Sequence, residues 1–340
     1  MTFSGEITKV REWRDVDARR FHEEVVPANR PAVLKGLVAH WPAVQAGLRS
    51  SEALADYISR FAGEGVTPVI VGHPAIKGRF FYTPDLSSFN FNHQQGRVRD
   101  ILSAILAETD NPAPPAIAIQ NLQVVSGLPG FQTQNPMDLL APAPAPGIWI
   151  GNRATVAAHF DMYENIACVV GGHRRFTLFP PDQLPNLYVG PLELTPAGVP
   201  ISLVDFDAPD FERYPDFAKA LGAAEQAELE PGDAIYIPYL WWHHIKALDS
   251  LNVLVSYWWN RTRPGVAPPF DLLLMALISM RDLPPTYREA WLPFFEHWIF
   301  RTNGDPVGHM PENRRGALGE TNPTLKRSVA QLLMRSLKGE

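Results

Sequence analysis

Ile148-Trp149-Ile150-Gly151-Asn152-Arg153, then His159-Phe160-Asp161, then Ile166-Ala167-Cys168-Val169-Val170 is the run of sequence on which the fold turns. Its first and last segments are apolar and of strand length, so the His-x-Asp triplet sits between strands. In extended chain alternate side chains share a face, which lets His159 and Asp161 enter one cavity while Phe160 points away. A later strand carrying Trp241-Trp242-His243-His244-Ile245 can deliver a second imidazole. Adjacent strand residues face opposite ways, so either His243 or His244 enters the cavity, but not both.

Two imidazoles and one carboxylate on one face of an iron ion are the ligand set of non-haem Fe(II) oxygenases, which leaves further coordination positions open. A chain with ten histidines also contains such triplets by chance. His22-Glu23-Glu24 is one of these. It lies where Phe21 and Val25 recur at helical spacing, and residues two apart on a helix do not face each other, so it reads as solvated surface.

Outward from the triplet, residues 116–259 are short apolar segments punctuated by Gly, Pro and Asp, the pattern of a β-sandwich or barrel. Gly171-Gly172 reads as a hairpin turn between strands at 166–170 and 174–179. Glu230-Pro231-Gly232-Asp233 reads as a turn feeding a strand at 234–238. Residues 184–229 form a polar, proline-rich insertion, too irregular for core sheet, whose expected role is a substrate-facing flap. The N-terminal flank mixes strands at 31–36 and 66–71 with helices at 51–61 and around Val98, Ile101, Leu102, Ile105 and Leu106. After Asn260 the pattern turns helical, apolar and aromatic from Leu272 to Phe300. Such a segment completes a core or forms a two-fold interface.

Composition agrees with an ordered protein: of 340 residues, 46% are hydrophobic and only 19% charged. Neither disorder nor a coiled coil fits. Thirty-three prolines favour many short elements over long helices. A net charge of −6 argues against a general nucleic-acid binder, whose footprint is basic. The single Cys168 makes no internal disulfide, and Met1 to Glu6 lacks a basic-then-apolar leader pattern, so cytoplasm is the expected location. The apolar run from Phe270 to Met280 is too short to span a bilayer, and no membrane segment is expected.

Taken together, Gly151-Asn152, His159-Phe160-Asp161, Asn165, Phe179-Pro180-Pro181-Asp182-Gln183, Val204-Asp205-Phe206-Asp207, Pro209-Asp210, Gly232-Asp233 and Tyr236-Ile237-Pro238 with the Trp-Trp-His-His run carry a resemblance. The chain resembles the JmjC-type, cupin-like family of Fe(II)/2-oxoglutarate oxygenases. By motif it is most similar to the asparaginyl hydroxylase type that inhibits hypoxia-inducible factor. The resemblance covers residues 115–260 and the flanks more loosely. It implies a mainly β protein with helical additions: a double-stranded β-helix (jelly-roll) catalytic core at 115–262, a mixed α/β scaffold at 1–114, and a helical segment at 263–340 that pairs the chain as a homodimer.

The same resemblance implies His159, Asp161 and His243 as iron ligands and 2-oxoglutarate as cosubstrate. Where the family has a lysine for the distal carboxylate, this chain has Arg174, a planar fork of different reach. Alternation with Phe176 and Leu178 gives Arg174 the inward side and Arg175 the outer one. Asn165 matches a family asparagine near the cosubstrate, Ser256 stands where a second would be, and Thr155 lies one position from the family hydroxyl, where Val156 stands. Met162, Tyr163, Pro200 and Ile201 replace the groups that grip a target asparagine, which implies a more apolar or aromatic substrate wall. The implied activity is hydroxylation of a C–H bond on a protein or peptide. A modified nucleoside in RNA, a small molecule, or a non-oxygenase metal-binding cupin are the alternatives. No DNA-binding module is visible.

Overall fold

Alternation along single strands organises the protein. In the computed structural model, which describes residues 5–196, 198–262, 268–319 and 323–338, fifteen strands are formed in chain order. They are β1 (Thr8–Lys9), β2 (Arg11–Trp13), β3 (Ala32–Leu34), β4 (Val66–Gly72), β5 (Arg79–Phe80), β6 (Phe91–Arg97), β7 (Ala116–Gln123) and β8 (Gly147–Gly151). Then follow β9 (Thr155–Phe160), β10 (Glu164–Gly171), β11 (Arg174–Phe179), β12 (Glu225–Leu229), β13 (Ala234–Ile237), β14 (Trp242–Ala247) and β15 (Asn252–Trp259). One sheet has six strands in the order β1-β12-β11-β14-β9-β5. The other has nine, in the order β2-β3-β13-β10-β15-β8-β7-β4-β6.

Strand β10 is buried along its whole length, and its two faces serve two cores. Ala167 and Val169 meet Phe176 and Leu178 of the six-stranded sheet, forming the inside of the sandwich. Ile166, Cys168 and Val170 face the other way, onto a larger cluster that includes Trp41, Val44, Leu54, Ile58 and Leu102. Those five come from the helices Pro42–Arg49, Ser51–Ser59 and Val98–Ala107 and the residue just before the first. Each fully buried side chain of this size contributes about 1.5–3 kcal/mol. The nine-stranded sheet is therefore covered on both faces, and the six-stranded sheet closes one of them.

The chain divides into two compact units, Met1–Arg261 and Thr262–Glu340. Within the first, the N-terminal flank is woven into the sheets: β3 pairs with β13, and β4 pairs with β7. The observed helix Ser51–Ser59 and strand Val66–Gly72 match the expected elements to within a residue or two. His22, Glu23 and Glu24 are exposed, as the helical reading requires.

Two expectations are corrected. The Gly171-Gly172 turn does not close a hairpin, because β10 pairs with β13 and β15 while β11 pairs with β12 and β14. It is a crossing between sheets. Gly172 has φ +71°, and a Cβ there would lie 2.6 Å from the Leu251 carbonyl oxygen, so a tight passage rather than a pairing register selects glycine. The 184–229 insertion is also more than a flap. Its last five residues are the core strand β12, and Leu187, Val204, Phe217 and Ala220 build a separate buried cluster under it. Polar spacing had hidden that cluster, since its apolar residues are scattered among turns.

The second unit contains helices Pro269–Met280, Pro285–Phe295 and Pro323–Lys338. Leu272, Ile278, Leu292, Ile299 and Phe300 are exposed within it. No helix among the described residues is long and apolar enough to cross a membrane.

Candidate metal centre

Three side chains from two adjacent strands and the turn beyond converge at the open end of the sandwich. His159 on β9 pairs in register with His243 on β14, and Asp161 follows just past the end of β9. The ligand atoms of His159, Asp161 and His243 all lie within 4.8 Å of one another. The imidazole centroids are 4.2 Å apart, and His243 Nε2 lies 3.7 Å from Asp161 Oδ2.

Hydrogen bonding fixes which nitrogen of each ring is free. His159 Nδ1 lies 2.9 Å from the Ala157 carbonyl oxygen, and His243 Nδ1 lies 3.0 Å from that of Trp241. A carbonyl oxygen only accepts, so both Nδ1 atoms donate and it is the Nε2 atoms that face the centre. Burial first, and the neighbouring His159 second, push His243 down to about 4, offset in part by Asp161. Its ring is neutral near pH 7. Two imidazoles and a carboxylate fit a first-row divalent ion such as iron, and this donor set is what the centre offers to one.

The structure separates His243 from its neighbour. His244 faces the opposite side of β14, where it stacks on Phe206 with centroids 4.5 Å apart, and burial pushes its pKa down to about 4 as well. It belongs to the packing beneath the insertion.

A cavity of about 550 Å³ runs inward from the three ligands. The register places successive rows along it: His243 opposite Leu178, then Ile245 opposite Phe176, then Ala247 opposite Arg174. Arg174 thus lines the far end, four residues along β11 from the row of the metal ligands. It is 7% exposed, and its Nε has no hydrogen-bond partner. Among the described residues no carboxylate pairs with it, and burial lowers its pKa only to about 10, so it stays cationic. A buried, charged and unpaired guanidinium costs several kcal/mol unless an anion reaches it. Arg175, by contrast, faces outward and is bonded to Glu228.

Asn165 and Ser256 line the same cavity, and Asn165 Oδ1 is buried without a partner. Thr155 does not line it. Two residues of β14, from His243 to Ile245, span three of β9, from His159 to Val156, so β9 carries an extra residue. Such a bulge shifts the alternation by one and turns Val156 rather than Thr155 inward. Further residues contribute, of which the sequence reading had passed over Gln120 and Asn121. Gln120 and Asn121 come from β7, and Trp149 and Trp258 from β8 and β15. None carries a motif; Asn121 has φ +50°, which only the backbone reveals.

Comparison with known proteins agrees with this geometry. The model of the cupin-like domain matches residues 18–264. The Jumonji C domain-containing protein 5 of Drosophila melanogaster is 26% identical over 261 residues, covering 71% of this chain and 57% of that protein. The human bifunctional peptidase and (3S)-lysyl hydroxylase JMJD7 is 27% identical over 273 residues, covering 71% of this chain and 80% of that protein. The tRNA wybutosine-synthesizing protein 5 of Gallus gallus is 30% identical over 148 residues, covering 39% of this chain and 43% of that protein. The match therefore spans little more than half of the Drosophila relative and less than half of the chicken one. With nearly three quarters of its length matched by that model and the His-Asp-His centre in place, the chain belongs to the cupin-like family.

Proposed function

We propose that this protein is an Fe(II)- and 2-oxoglutarate-dependent dioxygenase that hydroxylates a C–H bond on a protein side chain. One observation carries the reading: a two-histidine, one-carboxylate centre at one end of a cavity whose other end holds an unpaired, buried arginine. The two ends match the two ends of a 2-oxo dicarboxylate.

When bound, iron and 2-oxoglutarate supply the activation of dioxygen, with 2-oxoglutarate converted to succinate and CO2 as one oxygen atom enters the substrate. The chain supplies placement. His159, Asp161 and His243 would hold the ion. Arg174 would bind the distal carboxylate through its fork, and the Asn165 and Ser256 side chains line the path between. Val156, Ala167, Ile245 and Leu254 make the walls apolar, which excludes water and strengthens the pairing at Arg174.

A protein substrate is favoured over RNA. The net charge is −6, contrary to a phosphate-binding surface, and the human relative named as a lysyl hydroxylase matches over most of its own length. The chicken relative named for tRNA wybutosine synthesis matches over a shorter span. A non-oxygenase cupin gives no use for an unpaired cation in the cavity. Exposed Leu272, Ile278, Leu292 and Phe300 support a homodimer formed through the C-terminal helices, to be read by light scattering on the purified chain. A single buried cysteine supports a cytoplasmic location.

The test is succinate release from 2-oxoglutarate with Fe(II) and ascorbate, then mass spectrometry of proteins from wild-type and His159→Ala cells. Succinate from the wild type alone, with a +16 Da change that depends on His159, is the expected result. Absence of turnover by the iron-loaded wild type, with and without cell extract as substrate, would remove the proposal.

A further inference from the structure

We infer that Trp258 is a positioning residue for the metal centre: its indole N–H holds the Asp161 carboxylate in the orientation that presents it to the ion. This rests on the metal-centre reading above.

The indole Nε1 of Trp258 donates to Asp161 Oδ2 at 3.2 Å. Asp161 needs such a partner. It stands past the end of β9, its side chain is 26% exposed, and apart from Trp258 and the close approach of His243 Nε2 no side chain among the described residues is hydrogen-bonded to or ion-paired with its carboxylate. The backbone there is tied down, since Leu240 N–H donates to the Asp161 carbonyl. The side-chain torsions are not, and a free carboxylate has both oxygens to turn toward a cation. An indole N–H on one oxygen leaves lone pairs on both but fixes the plane, so a single rotamer faces the two imidazoles.

The donor comes from the opposite sheet. Trp258 lies on β15, paired with Asn165 of β10, and reaches across the mouth of the sandwich to a ligand that belongs to the six-stranded sheet. Its ring is itself held. Trp149 packs against it edge-on, with centroids 6.1 Å apart at 66°, and the neighbouring strand offers glycine at 147, where a Cβ would stand 2.9 Å from Trp258 Cζ3. Phenylalanine would keep an aromatic ring there, smaller and without the N–H. Among residues of this size and shape only tryptophan brings a ring N–H, and a neutral donor orients the carboxylate without competing with the ion for its charge.

Cobalt(II), whose visible absorption reports its ligand field, is the probe for the full-length chain. Wild type is expected to bind one equivalent, and Trp258→Phe to bind it about 10- to 100-fold more weakly with an altered spectrum, the range for loss of a partner that orients a metal ligand. Circular dichroism checks that the variant is folded. A second measurement needs no variant: in the ¹⁵N-tryptophan-labelled wild type, one indole N–H is expected to shift far more than the others on adding cobalt, and to become the slowest to exchange its proton on adding zinc. Equal cobalt affinity and spectrum in wild type and a folded Trp258→Phe would overturn the assignment while leaving the centre intact. So would the absence of any metal-dependent indole signal. Failure of the wild type to bind cobalt at all would overturn both readings.

Discussion

His243 and His244 are consecutive, yet one ring lies 4.2 Å from His159 at the metal centre and the other lies 4.5 Å from Phe206 beneath the insertion. Strand geometry puts them on opposite faces, and the two environments give them different work. Substituting them separately tests that division. His243→Ala is expected to abolish cobalt binding and to lower succinate release by at least about a hundredfold. His244→Ala is expected to keep both within a few-fold while losing about 1–3 kcal/mol of stability from the vacated stack. Metal titration and urea denaturation of the two variants check the pair.

Arg174 is held at a cost that only a ligand offsets. Its side chain is buried and among the described residues no carboxylate pairs with it, so Arg174→Met is expected to melt at or above the wild-type temperature. The same variant is expected to lose 2-oxoglutarate affinity by roughly 100-fold, as a desolvated charge pair of a few kcal/mol would require. Calorimetric titration with 2-oxoglutarate and a thermal melt, run side by side, give the two signs. A variant that is destabilised and still binds would contradict the reading of Arg174 as a ligand group.

Cys168 is expected to be inert. It is the only cysteine, it is fully buried on the helix-covered face of β10, and burial drives its pKa upward, so the reactive thiolate is absent. A disulfide-exchange reagent at pH 8 should titrate no thiol in the native protein and one after unfolding in guanidinium chloride. Rapid native labelling would show that β10 opens locally.

Lys35 links the N-terminal flank to the jelly roll through Asp233 at 2.6 Å and Glu230 at 2.9 Å. Burial lowers its pKa, but hydrogen bonds to Asp233 and Glu230 and their charges together raise it above 10.5. A raised folded pKa contributes stability that is complete below the unfolded value and is lost as pH rises through the folded one. Lys35→Met is therefore expected to cost about 1–3 kcal/mol near pH 7. The gap in melting temperature from wild type should stay constant from pH 6 to about 9.5 and close as pH climbs beyond about 10.5, the ordinary lysine value.

The strands at 166–170, 174–179 and 234–238 and the helices Ser51–Ser59 and Val98–Ala107 were legible in the sequence because each depends on local periodicity, whereas β12 and the helix Pro42–Arg49 were not. Residues 166–170 read as strand from their β-branched character, and Arg174 was assigned the inside from simple alternation with Phe176 and Leu178. Thr155 was named for its hydroxyl, one position from where the family carries one; a bulge in β9 turns Val156 toward the cavity instead, and bulges are set by the pairing partner rather than by the strand that carries them.

By itself the chain determined which residue types could form a centre: two histidines and an aspartate at strand spacing, and a cation one Gly turn away. Tertiary structure decided the rest. It chose His243 over His244, sent the strands on either side of Gly171-Gly172 into different sheets, left Arg174 without a partner, and brought the Trp258 indole across the sandwich to Asp161. The physical reason is the range of the information. Alternation and turn chemistry are read within a few residues, whereas register, bulges and contacts between sheets arise only when segments distant in sequence compete for the same partners and the same buried space.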